Sequence, residues 1–174
     1  MNEQAAGAVR IEPARPDDLE RLGQLALRSK AHWGYDRDFI EACREELSVP
    51  PSALVQDILL VARQQERIRG FVRMDRLSPA ELEALFVDPG HMGQGLGRKL
   101  FDAAMAHCRA SRIVVASDPH AVGFYESIGF RADGMTPSGA IAGRMLPRLV
   151  YDRDSDTAVL RGGESRKCTL KNTI

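Results

Sequence analysis

The densest chemistry in the chain lies in "VDPGHMGQGLGRKLF", residues 87–101. An apolar run ends at Asp88-Pro89, glycines alternate at Gly93, Gly95 and Gly97, and Arg98 and Lys99 open an apolar-periodic segment. Glycines let a backbone approach a ligand closely, and a helix N-terminus presents free N–H donors with partial positive charge. Basic residues in a first turn oppose the helix dipole, which is reasonable where an anion sits there. Anion binding is therefore the expectation, against the plainer reading of a flexible turn with a close helix contact. The anion is not a nucleoside triphosphate held by a P-loop, because Gly97 is followed by Arg98-Lys99-Leu100 and the magnesium-binding hydroxyl is missing. A dinucleotide GxGxxG also fails: its last glycine would fall on Arg98 or Leu100, although Asp118 lies roughly 20 residues on, as a ribose-binding acid would.

Three further stretches carry reactive side chains. In "ELEALFV", residues 81–87, Glu81 and Glu83 share one face of a strand, since strand side chains repeat every second residue. "SKAHWGYD", 29–36, clusters His32, Trp33 and Tyr35 around Gly34, and "DPHAVGFYESIGF", 118–130, holds Tyr125 between Phe124 and Phe130. Each has a plain reading: solvated edge glutamates, simple aromatic packing and a core aromatic. The histidines His91, His107 and His120 have no metal-ligand spacing with one another or with a cysteine, so no metal is expected. Cys43 and Cys108 fall inside amphipathic segments without a paired histidine, which leaves a cysteine nucleophile unsupported.

These residues need a scaffold, and the periodicity supplies one. The chain has 174 residues, enough for one domain, with 24 Lys+Arg against 24 Asp+Glu, so no basic excess points to nucleic acid. The N-terminus lacks an apolar leader, no apolar run reaches membrane-spanning length, and the three cysteines are scattered, so a cytoplasmic protein is expected. Residues 9–14 read as a strand, Pro16 opens a helix, and "RDFIEACREEL" reads as a second helix closed by Pro50-Pro51. Strands are expected at 57–64, 68–77 and 81–87 as an antiparallel meander, then a helix over 96–110 and a buried strand at 112–117. Asp118-Pro119 caps a helix through Ser127, Gly129 ends it, and two strands follow. The expected architecture is α/β, a mixed and largely antiparallel sheet flanked by helices. The domain spans 9–152, and the polar segment 153–174 reads as a disordered C-terminal tail.

With both stretches in view, "VDPGHMGQGLGRKLF" resembles the acetyl-CoA-binding segment of the GCN5-related N-acetyltransferase (GNAT) family. "DPHAVGFYESIGF" resembles the second signature of that family, in the same order and at a similar separation, and the resemblance covers roughly residues 9–151. It implies the GNAT fold and acetyl-CoA as cosubstrate. Pyrophosphate would lie on the backbone of Met92, Gly93, Gln94, Gly95, Leu96 and Gly97 with Arg98 adjacent, and the pantetheine arm along Leu85, Phe86 and Val87. Phe124 and Asp118 would complete the cofactor site. Where the family usually has Gln or Arg, this chain has Met92, and where it often has Asn, this chain has Asp118.

The resemblance also implies roles. The Val87 N–H would polarise the thioester carbonyl, and Tyr125 would protonate the leaving thiolate. Glu81, at the family's matching distance, or Glu83 would relay a proton from the amine. His32, Trp33 and Tyr35 would lie by the acceptor and hold a small amine by stacking or cation–π contact. The resulting expectation is direct acetyl transfer to a primary amine of a small molecule or peptide, in a fold compatible with a homodimer. The other class is a catalytically inactive CoA-binding or protein-interaction module of the same fold.

Overall fold

The structure, a computed structural model, describes residues 7–153. Its elements run β1 (Arg10–Pro13), a 3-10 turn (Pro16–Asp18), α1 (Leu19–Ala31), α2 (Arg37–Ala42), α3 (Ala53–Gln56), β2 (Ile58–Gln64), β3 (Arg67–Met74) and β4 (Ala80–Val87). After a 3-10 turn (Pro89–His91) come α4 (Leu96–His107), β5 (Arg112–Ala116), a further 3-10 turn (Pro119–Ala121), α5 (Val122–Ser127), β6 (Arg131–Pro137) and β7 (Met145–Asp152). The sheet order is β1-β2-β3-β4-β5-β7-β6, antiparallel at every junction except the parallel β4–β5 pair that α4 bridges. This is the mixed, largely antiparallel sheet expected. The tail expected at 153–174 lies outside the described residues, apart from Arg153, whose guanidinium donates to the Met105 carbonyl.

Two local readings change. The second helix stops at Ala42 and continues as turns through Leu47, because no basic residue occupies its last turn and Glu41, Glu45 and Glu46 crowd the negative end of the dipole. The segment after Pro51 forms α3, too short for periodicity to reveal. Elsewhere the local rules hold. The Gln64–Arg67 hairpin turns on Gln65 and Glu66, both left-handed (φ 47° and 61°), as a two-residue loop requires.

Strand β2 explains its own unbroken apolar run, since both of its faces are covered. Ile58, Leu60 and Ala62 pack under α4 with Leu96, Leu100 and Ala104, while Leu59 and Val61 pack under α1 with Leu22, Leu25 and Ala26. Arg63 continues β2 on the α1 side, and its guanidinium, 2% exposed, donates at 2.7 Å to Glu12 and at 2.7 Å to buried Asp18. A buried charge is tolerable only when paired in this way. The network joins β1 and the turn that launches α1 to the sheet.

On the other face α4 sits close because β3 carries Gly70 beneath it. A Cβ added there would lie 2.8 Å from the Phe86 carbonyl oxygen and 3.0 Å from Leu100 Cδ1. Gly70→Ala is expected to lower unfolding free energy by about 1–3 kcal/mol through overpacking, read as a lower midpoint in urea at unchanged slope. An unshifted midpoint would show that α4 is not seated on this glycine.

Candidate active site

Parallel strands β4 and β5 are registered only at Ala80–Ile113 and Glu81–Val114, then diverge. Beyond Glu81 the outer edge of β4 has no strand partner among the described residues. On its inner side the Asp88 N–H donates to the Arg69 carbonyl at 2.8 Å, and antiparallel alternation from that bond makes Phe86 and Ala84 the residues that exchange hydrogen bonds with β3. Leu85 and Val87 therefore turn their N–H and C=O groups outward into the gap. The register slips by one between Arg73–Ala84 and Met74–Leu82, which makes Glu83 an extra, bulged residue. A cavity of about 550 Å³ fills the gap, lined by β4 from Leu82 to Val87, the following loop, the end of β5 and α5.

The loop closes one end. Asp88 caps the turn by accepting from the Gly90 N–H, and Gly93 and Gly95 both adopt left-handed φ (73° and 75°) with no atom within 4 Å of an added Cβ. The first bond of α4 runs from the Lys99 N–H to the Gly95 carbonyl. Among the described residues, the N–H groups of Gly93 through Arg98 thus have no acceptor, and they stand at the positive end of a twelve-residue helix. Met92 differs from its expected part: its N–H is taken by the Pro89 carbonyl at 3.4 Å. Gln94 lies outside the cavity lining, with its side chain on the Gly90 carbonyl, and Arg98 lines the cavity while donating to the Ser127 carbonyl at 2.6 Å. Gly97 is glycine because Phe124 packs on it, 3.0 Å from where a Cβ would be.

Tyr125 is placed by the way α5 ends. Gly129 (φ 102°) donates to Glu126, and the Phe130 N–H donates back to the Tyr125 carbonyl at 3.0 Å, with the two rings edge to face. The tyrosine is buried, lines the cavity, and its hydroxyl has no hydrogen-bond partner among the described residues. Burial, then the charge of Asp118, pushes the phenol well above its ordinary value, so it stays protonated.

Glu83 reaches the cavity and Glu81 does not. Glu83 is an exposed residue at the cavity edge, and partial loss of hydration there pushes its carboxyl up. Arg73 opposes this, and the charges of Glu81, Asp75 and Asp57 add to it. Arg73 is itself committed to Asp57 at 2.6 Å.

Asp118 is tied up by protein groups. Its carboxylate accepts from Lys30 Nζ at 3.1 Å, from the Tyr35 hydroxyl at 3.1 and 3.0 Å and from the His120 N–H at 3.0 Å. Burial alone would raise its pKa, but the His120 N–H, Lys30 and Tyr35 outweigh it and hold the carboxyl below its ordinary value. Of the aromatic cluster around Gly34, Trp33 lines the cavity and stacks flat on His120, whereas Tyr35 faces Asp118 and His32 is exposed against the edge of Trp33. Lys30, His120 and Arg144 were missed by sequence reasoning. A lysine in a last helical turn and a histidine after Asp-Pro carry no signal of their own, because their partners lie far away in the chain.

Residues 38–140 match the family model described as an acetyltransferase (GNAT) domain. The chain is 30% identical over 134 residues to the peptidyl-lysine N-acetyltransferase YjaB of Salmonella typhimurium, covering 72% of this chain and 86% of that protein. It is 33% identical over 75 residues to the histone acetyltransferase TAP1 of Glycine max, covering 40% of this chain and 32% of that protein, so it spans about a third of that relative's length. The fold is shared with the PaiA N-acetyltransferase of Thermoplasma acidophilum in complex with coenzyme A (TM-score 0.66, 18% identity, 83% of this chain and 99% of that one). It is also shared with apo YjaB of Escherichia coli (TM-score 0.62, 27% identity, 83% and 97%). Beside the cavity that opens where β4 diverges from β5, the chain carries the features of its family: it belongs to the GNAT acetyltransferases.

Proposed function

We propose that the protein transfers the acetyl group of acetyl-CoA directly to a primary amine of a small molecule or peptide. The observation that carries this reading is the open β4 edge running into a loop of unpaired N–H groups, with Tyr125 on the same cavity. The residues present suit the cosubstrate. Gly93 and Gly95 leave a cradle that a side chain would fill, and the N–H groups of Gly93 through Arg98 suit a pyrophosphate. Leu85 and Val87 can pair with the amides of an extended pantetheine arm, and Phe124 packs beside it. Acetyl-CoA supplies the acetyl group as an activated thioester.

The chain's own groups would then divide the work. The Val87 N–H is aimed into the gap, where it can polarise a carbonyl. Glu83, with its raised carboxyl, takes the proton of the incoming ammonium, and Tyr125, protonated throughout the physiological range, gives a proton to the departing thiolate. Glu81 is better read as a contributor to the charge that raises Glu83. The peptidyl-lysine activity of the Salmonella relative supports a lysyl amine among the acceptors. Buried free thiols at Cys43 and Cys108 agree with a reducing, cytoplasmic setting.

Calorimetric titration with acetyl-CoA, joined to a thiol-release assay on a lysyl peptide, tests the reading. Gly95→Glu forces a side chain into left-handed backbone and places a carboxylate in the cradle, so affinity should fall by on the order of 10- to 100-fold. Tyr125→Phe should keep that affinity and lower kcat by on the order of 100-fold. Absence of acetyl-CoA binding by the wild type would reject the reading. Binding with no turnover on any amine would replace it with a CoA-binding module.

The pH profile separates the acid from the base. The active form of Glu83 is the carboxylate, so kcat/KM should rise as pH passes upward through its raised pKa, above the ordinary glutamate range, and then level. Glu83→Gln should lower kcat/KM by on the order of 100-fold and remove that acid limb. A limb that persists in Glu83→Gln would assign it to another group.

A further inference from the structure

Asp118 does more than cap a turn. Its carboxylate receives Lys30 and Tyr35, and Arg144 Nη2 lies 3.7 Å away while donating to the Tyr35 hydroxyl at 2.9 Å. Tyr35 stacks on Phe39 with ring centroids 4.3 Å apart, and Lys30 and Arg144 lie over these rings. Lys30, Arg144 and Asp118 side chains are only 14%, 18% and 16% exposed, so this is a built cluster and not a solvated surface pair. It joins three separate parts of the chain: the end of α1, the turn after β5 and the β6–β7 connection.

Beside it stands Trp33. Its ring lies parallel to His120, with centroids 5.1 Å apart and planes within 1°, and it remains 41% exposed where it lines the cavity. The backbone turns sharply between Trp33 and Tyr35 at Gly34 (φ 83°). Holding Tyr35 on Asp118 therefore fixes where Trp33 can sit. The same short turn, Asp118 to Ala121, carries both anchors: the carboxylate for Tyr35 and the His120 ring for Trp33.

We propose that Asp118 is a positioning residue for the acceptor: through Tyr35, Lys30 and Arg144 it holds Trp33 as a fixed wall of the cavity that Tyr125 also lines, and amine recognition depends on this clasp while cofactor binding does not. The role in recognition rests on the acetyl-transfer reading above. The uncovered part of the indole offers a π surface to an ammonium or to the carbon chain that bears it. A wall held by charged hydrogen bonds costs less ordering on binding than a free loop would.

Trp33 is the only tryptophan of the chain, so its emission reports on the clasp whether or not turnover is measured. Asp118→Asn keeps an oxygen to accept the His120 N–H but removes the charge that holds Lys30 and Arg144. Tyr35→Phe removes the hydroxyl that joins Asp118 to Arg144 and keeps the ring. Both should shift Trp33 emission to longer wavelength and increase acrylamide quenching. With a lysyl peptide as the amine probe, the KM for the amine should rise about tenfold in Asp118→Asn, at a CoA affinity within about twofold of wild type. The double variant should be no worse than Asp118→Asn alone, since both changes open one clasp.

Unmoved emission in both variants would overturn the clasp. Lost CoA affinity at unchanged amine KM would also overturn it, by placing Asp118 on the cofactor. If the wild type bound no CoA and acetylated no amine, the acetyl-transfer reading would fall with the recognition role, and the emission shift would still decide whether Asp118 holds Trp33.

Discussion

The parallel pairing between β4 and β5 stops after two registered pairs, and the site exists because of that interruption. Each strand is held by an antiparallel neighbour on its other side, β4 by β3 and β5 by β7, so each follows a different half of the twisting sheet. The bulge at Glu83 adds local twist to β4 just where the strands part. Below that point one hydrophobic cluster spans the junction, with Ala80 and Leu82 of β4 joined to Ile113 and Val115 of β5 under Leu100 and Phe101 of α4. The gap is therefore a wedge, closed at the bottom by packing. The backbone groups it leaves without a strand partner border an open cavity, where water can satisfy them.

Charge is distributed along this wedge with one sign at each end. At the loop end, six successive N–H groups lack acceptors among the described residues, and the Asp88 carboxylate is turned onto Gly90. At the other end Glu83 reaches the cavity, while the cations nearest Asp118 are spent on it. An anion is favoured at the first end and a cationic amine at the second, before any specific contact is made.

Much of this was legible in the sequence where the signal is local. The alternating glycines announced a backbone that must approach something, and Gly93 and Gly95 are left-handed as such a loop requires. "YESIGF" could be read as a helix end because Gly129 is the residue that a left-handed cap demands. The β2-β3-β4 meander and one crossover were legible, but the seating of β7 between β5 and β6 was not. What could not be read depends on distance in the chain. The partners of Asp118 lie 88 and 83 residues away, and nothing near Lys30 or Tyr35 marks either as its partner. The bulge was hidden for another reason: "ELEALFV" alternates acceptably in either register, so only pairing with β3 shows that Glu83 is the extra residue.

Asp118 also bears on both Trp33 and Tyr125, by separate routes. Its carboxylate fixes Tyr35 and, through the same turn, the plate of His120 and Trp33. Its charge adds to burial in keeping the Tyr125 phenol protonated. A neutral amide at 118 could cap the turn equally well, yet it would take away the carboxylate that Lys30 and Arg144 share. With the carboxylate present, the cations are neutralised where they stand, and the phenol faces a negative charge. Asp118 is thus matched by Lys30, Tyr35 and Arg144, and the four residues make sense only together.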